Sequence, residues 1–195
     1  MARADRYSLL LLAGGRSSRM GKNKAELLYN GKPFWAHMVD KVRPLGITRC
    51  LLSGYDTGLP QIRTVWDRLE NRGPLGGLHA GLSAAQTPYC LVLPVDAPLL
   101  PAAVPQALLR AHEGRQDEAV LIWEHGDRPE PLIAVYPTAM AGEIEALIRE
   151  KSAPVFRALD RWGYRSLRLE PEEDLPLNIN TPELYGRLLN LEGPF

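Results

Sequence analysis

The sequence predicts an α/β protein, a three-layer α/β/α sandwich around a mostly parallel sheet. Two observations carry this expectation. Strand-like and helical segments alternate along the chain, the pattern of parallel strands joined by crossover helices. Two strand-like runs, residues 9–12 and 91–95, are apolar throughout, as central parallel strands covered on both faces must be.

Taken in order, the first strand (8–12) breaks into a glycine turn, and a helix comes after it at 33–43. Strands are expected at 48–53 and 62–66, then a helix at 75–85. The strand at 89–95 ends in Asp96-Ala97-Pro98 and is followed by a helix at 101–111. Next come strands at 119–123 and 132–136; the second, closed by Pro137, reads as a shorter antiparallel element capping the ligand crevice. A helix at 139–150, a strand at 166–169 and a helix at 182–191 complete the set. The last helix has a clear start, with Thr181 as N-cap and Pro182 at the first helical position.

Length suits one domain over residues 1–195, since the stretches 56–61 and 170–177 read as loops and not linkers. With 45% hydrophobic and 24% charged residues the composition is that of a soluble globular protein. The 23 basic and 23 acidic residues cancel, which argues against a nucleic-acid or anionic-membrane partner. They are unevenly placed. Residues 1–43 carry nine Lys and Arg against three acids, a cationic end suited to a small anion. Cys50 and Cys90 fall in or beside apolar runs and read as buried thiols in a reducing compartment. The polar first residues do not make a signal peptide, and no apolar run has membrane-spanning length, so a cytoplasmic location is expected.

The most informative stretch lies just after the first strand. Leu12-Ala13-Gly14-Gly15 leads into Arg16, Arg19, Lys22 and Lys24, four cations within nine residues. Small residues let backbone N–H groups close around an anion, and the cations neutralise one of several charges, so a polyphosphate is the natural ligand. Two familiar phosphate loops are excluded. A P-loop needs glycine where Arg16 stands and a hydroxyl where Asn23 stands, and neither Gly14 nor Gly15 begins a G-x-G-x-x-G fingerprint.

Asp96 leaves the end of a buried strand, on the edge where the cationic loop also emerges. A carboxylate there is a natural Mg²⁺ ligand, because Mg²⁺ takes one or two protein carboxylates and completes its shell with phosphate and water. The alternative is a turn residue bonded to its own backbone. Asp67 ends another strand-like run, and Gly76 and Gly77 open the next helix. These glycines bring backbone close either to a flat ligand such as a base or to the sheet beneath. Asn178 and Asn180 alternate, as if on one face of a strand. The four histidines, His37, His79, His112 and His125, show no metal spacing, and Trp35, Trp66, Trp123 and Trp162 read as core.

Together, Leu12-Ala13-Gly14-Gly15, Arg19-Met20-Gly21, Lys24, Gly73-Pro74-Leu75-Gly76-Gly77, Asp96-Ala97-Pro98 and Asn178-Ile179-Asn180-Thr181-Pro182 resemble molybdenum cofactor guanylyltransferases over nearly the whole chain. The loop alone marks the wider nucleotidyltransferase superfamily, and the sheet it implies is Rossmann-like. Ala-Gly-Gly together with Gly-Pro-Leu-x-Gly points to GTP. The resemblance implies that Leu12, Ala13, Gly14 and Gly15 cradle the nucleotide, with Lys24 on its phosphates. By it, Asp67 and Pro74, Leu75 and Gly77 bound the guanosine, Asp96 holds Mg²⁺, and Asn178 and Asn180 face the pterin. Arg19, Lys24 and Asp96 are then the catalytic set, with GTP and molybdopterin as substrates and a helper GTPase or recipient molybdoenzyme as candidate partners. Three positions depart from the family pattern: Asn23 replaces an aspartate, Ser53 stands at a nucleotide-contacting position commonly held by asparagine, and 151–157 lacks adjacent arginines. The alternatives are a cytidylyltransferase for the same pterin, a sugar-phosphate nucleotidyltransferase, or a nucleotide-binding module without catalysis.

Overall fold

The structure, a computed structural model, describes residues 2–13, 23–67, 73–115, 117–150, 155–169 and 178–190. A short helix α1 (Arg3–Arg6) leads into strand β1 (Tyr7–Leu12), and a small hairpin of β2 (Leu28–Tyr29) and β3 (Lys32–Pro33) precedes helix α2 (Phe34–Val42). Next in the chain are strands β4 (Cys50–Ser53) and β5 (Ile62–Val65), helix α3 (Pro74–Ala84), strand β6 (Tyr89–Pro94) and helix α4 (Ala103–Glu113). The hairpin β7 (Val120–His125) and β8 (Arg128–Pro137), helices α5 (Ala141–Arg149) and α6 (Val155–Trp162), strand β9 (Tyr164–Arg168) and helix α7 (Pro182–Asn190) follow among the described residues.

Among the described residues seven strands form one sheet in the order β5-β4-β1-β6-β8-β7-β9. All neighbouring pairs are parallel except the two that β8 makes, with β6 and with β7. The mostly parallel sheet is therefore as expected. The element at 132–136 is antiparallel, but it does not cap the crevice: β8 is ten residues long and lies inside the sheet. Its first half is disguised by Pro129 and Pro131, which cannot donate ladder hydrogen bonds. The register slips there, from Ile122 opposite Ala134 to Trp123 opposite Glu130.

Side chains alternate between two cores with the period of two that a strand imposes. Leu9 and Leu11 of β1 and Leu91 and Leu93 of β6 face α2 and α4, packing on Met38, Val42, Val104 and Leu108. Leu10, Leu12, Cys90 and Val92 face α3, α5 and α6, packing on Leu78, Leu82, Ile144 and Leu159. Helices on both faces give the three layers. Among the described residues no helix is long and apolar enough to cross a membrane.

Two expectations about buried residues need correction. Trp66 is 60% exposed, because it lies just past the end of β5, which borders the sheet. Cys50 is only half-buried, whereas Cys90 is fully buried; both thiols are free. Trp123 is fully buried, and its indole N–H donates to the Leu169 carbonyl at 2.9 Å.

Candidate active site

The ends of β1, β4, β5 and β6 stand in one row. Leu12 lies opposite Ser53 on one side and Pro94 on the other, and Ser53 lies opposite Val65. Backbone hydrogen bonds extend the row by one residue, from Ala13 N–H to Ser53 O (2.9 Å) and from Val95 N–H to Leu12 O (3.1 Å). The segments leaving these strands emerge on this edge, where open α/β sheets bind ligands.

Asp96 emerges there from β6, and Lys24 meets it. Lys24 Nζ donates to Asp96 Oδ2 at 2.7 Å and also to the side-chain oxygen of Asn180. Lys24 starts a 3-10 turn (Lys24–Glu26) capped by Asn23, whose side-chain oxygen accepts from the Ala25 N–H at 3.0 Å. An aspartate at 23 would cap in the same way. Asparagine keeps the acceptor and removes the charge, so this departure leaves the placement of Lys24 intact.

Two further contacts fix the turn after β6. The Ile179 N–H donates to the Asp96 carbonyl at 2.8 Å, and Ile179 is buried among Leu27, Phe34 and Leu188. From the opposite side Lys41 Nζ donates to the Pro98 carbonyl at 2.7 Å. Burial pushes the Lys41 pKa below the usual lysine value. Sequence reasoning missed Lys41, although a signal existed. Its spacing from Phe34 and Met38 puts a cation on the buried stripe of an amphipathic helix.

Residues 178–180 form no strand, so the argument that both amides share a strand face does not hold. The segment instead runs into α7, where Thr181 Oγ1 accepts from the Leu184 N–H at 3.2 Å. Asn180 turns toward Lys24. Asn178 is half-buried.

On the other flank, α3 starts after Gly73, whose φ of +58° suits glycine. A methyl group on Gly76 would stand 1.8 Å from Asp67 Oδ2, and one on Gly77 would stand 2.8 Å from Ser53 Oγ. The neighbours that require these glycines are side chains of the chain itself. Of the two readings, tight packing of helix on sheet is the one the geometry supports. Ser53, Leu12, Ala13, Leu75 and Gly77 are buried, Asp67 is half-buried and Pro74 exposed. Gly14, Gly15 and Arg19 lie outside the described residues, as do residues 151–154 of the stretch lacking arginines.

Among the described residues no cluster of three or more His, Cys, Asp or Glu could hold a metal unaided. Asp96 offers a single carboxylate that already balances a cation, the Lys24 ammonium. That donor set fits Mg²⁺ or Mn²⁺ bound jointly with phosphate oxygens, and not a metal caged by protein alone.

The chain matches the MobA-like NTP transferase domain over residues 9–166. It is 37% identical over 186 residues to a molybdenum cofactor guanylyltransferase of Pseudomonas aeruginosa, covering 92% of each chain. A molybdenum cofactor guanylyltransferase of Pseudomonas paraeruginosa is 35% identical over 187 residues, covering 92% of this chain and 93% of that one. Among solved structures, molybdopterin-guanine dinucleotide biosynthesis protein A from Archaeoglobus fulgidus superposes with a TM-score of 0.74 at 25% identity, covering 94% of this chain and 97% of that one. The chain belongs to the MobA-like NTP transferase family, among nucleotidyltransferases whose relatives here are molybdenum cofactor guanylyltransferases.

Proposed function

We propose that the protein transfers GMP from GTP to the terminal phosphate of molybdopterin and releases pyrophosphate. The observation that carries the reading is the meeting of Lys24 with Asp96 at the carboxyl edge of the sheet, where β1 and β6 end side by side. Relatives matched over nearly their whole length supply the choice of nucleotide and acceptor.

A phosphate monoester loses its second proton near pH 6, so the attacking oxygen is already largely ionised at neutral pH. No general base is needed. The residues then act by alignment and charge neutralisation, as phosphoryl transfer generally requires. Lys24 neutralises the α-phosphate as it gains charge, and Arg19 takes the departing β- and γ-phosphates. A divalent cation, Mg²⁺ in this reading, would be held by Asp96 and would neutralise phosphate oxygens. Asp67 and the start of α3 bound the guanosine on one side. Asn178 and Asn180 border the acceptor on the other. GTP and molybdopterin are the partners this assigns.

The test is pyrophosphate release with GTP, CTP and UTP in turn, each with purified molybdopterin and Mg²⁺. The reading expects release with GTP and little with the pyrimidine nucleotides. Preference for CTP would move the protein to the cytidylyl branch, and binding of GTP without turnover would make it a nucleotide-binding module.

A further inference from the structure

Lys24 does more in this structure than wait for a phosphate. Its ammonium sits on the carboxylate that the proposed function assigns to the divalent cation, 2.7 Å from Asp96 Oδ2. The pair is sheltered, with side-chain exposures of 21% and 17%. Asn180 accepts a second hydrogen bond from the same ammonium. Asn180 is itself anchored, because Ile179 next to it is buried and bonded through its N–H to the Asp96 carbonyl at 2.8 Å. Three segments far apart in sequence thus hold one positive charge over one carboxylate.

We infer that Lys24 is a built-in occupant of the cation seat on Asp96, kept there by Asn180 as a positioning residue, so that the divalent cation is admitted only together with a triphosphate. The reason is electrostatic, given the proposed function. A lysine ammonium and a divalent cation on one carboxylate repel, and the repulsion is strong where water is partly excluded. Among the described residues the ammonium is held by Asp96 and Asn180, and without nucleotide it stays there. A triphosphate offers several formal negative charges and draws the ammonium away, and it also brings the oxygens that complete the cation's shell. Cation and nucleotide therefore favour each other, and reciprocally so. One consequence is that free Mg²⁺ is kept from an empty site.

The test is Mn²⁺ titration of the full chain, followed by loss of the free-ion electron paramagnetic resonance signal, first without nucleotide and then with a non-hydrolysable GTP analogue. Wild type should bind Mn²⁺ weakly alone and much more tightly with the analogue. Lys24→Gln should bind Mn²⁺ alone roughly tenfold or more tighter than wild type. Asn180→Ala keeps the lysine charge and should shift in the same direction by a smaller factor. Asp96→Asn should lose the site in both conditions, which identifies the carboxylate being read. Equal Mn²⁺ affinity of nucleotide-free wild type, Lys24→Gln and Asn180→Ala would overturn the inference, even if Mn²⁺ still binds with the analogue. Failure of every variant and of wild type to bind the analogue with Mn²⁺ would instead remove the functional reading, while the nucleotide-free comparison still decides whether Lys24 guards Asp96.

Discussion

A buried imidazole adds to the acid sensitivity of this protein. His112 is 3% exposed and shares a hydrogen bond of 2.8 Å between its Nδ1 and the Tyr7 hydroxyl. Its Nε2 is buried with no partner among the described residues. Burial, with Arg6 and Arg115 adding like charge, pushes its pKa down to about 4. The unfolded chain takes up a proton near pH 6.5 and the folded one does not, so folding loses stability as pH falls from 6.5 to about 4. The full effect is at most about 3 kcal/mol. Urea denaturation at pH 7 and pH 4.5 should show this fall, and His112→Leu should flatten it. A His112→Leu curve as steep as wild type would place the acid sensitivity elsewhere. Lys41 makes a second prediction of this kind. Lys41→Ala leaves the Pro98 carbonyl without its donor, which should cost about 1–3 kcal/mol in urea denaturation. It should also weaken nucleotide binding by loosening the turn that carries Asp96. Unchanged nucleotide affinity would show that Lys41 supports only the fold.

Helix α3 and helix α7 make opposite predictions for the same substitution. A methyl group on Gly81 would stand 2.2 Å from Leu10 Cδ2, and Leu10 is fully buried and cannot retreat. Gly81→Ala should therefore destabilise by about 1–3 kcal/mol despite the better helix propensity of alanine. Gly186, inside α7, would meet nothing within 4 Å. Gly186→Ala should stabilise by about 1 kcal/mol, the propensity gain alone. Thermal denaturation of both variants checks the pair, and the same sign for both would contradict the packing described. The elements themselves were unevenly legible in sequence. Apolar runs announced β1 and β6, since strands covered on both faces have no polar positions to confuse the pattern. The start of β8 was hidden by Pro129 and Pro131. Helix α6 was missed although Val155, Ala158, Leu159 and Trp162 recur at helical spacing and pack in one core. Around the site, the turn carrying Asp96 could be read because it ends a buried run. The partner that Asn180 finds could not, because it depends on α7 docking.

That docking is a property of the whole molecule. The contacts of Lys24 reach 72 residues to Asp96 and 156 residues to Asn180, and no local rule relates such positions. They meet because the doubly wound sheet brings the exits of β1 and β6 to one edge, and because α7 packs beside the β2–β3 hairpin. Leu188 of α7 is fully buried with Leu27 and Phe34, and the Tyr185 hydroxyl donates to the Leu28 carbonyl at 2.9 Å. Leu188→Ala should cost about 2–5 kcal/mol in urea denaturation and lower turnover, although it touches no substrate. A loss of stability with turnover unchanged would separate α7 from the site.

The central claim is that Lys24 and Asp96 act together on a bound triphosphate. Magnesium-dependent pyrophosphate release by Lys24→Ala and Asp96→Ala, each first shown to be folded by circular dichroism, tests it most directly. Each variant should lose roughly 10²–10³ in rate, by analogy with the removal of a single charge-stabilising donor. Near-normal release by both folded variants would contradict the account.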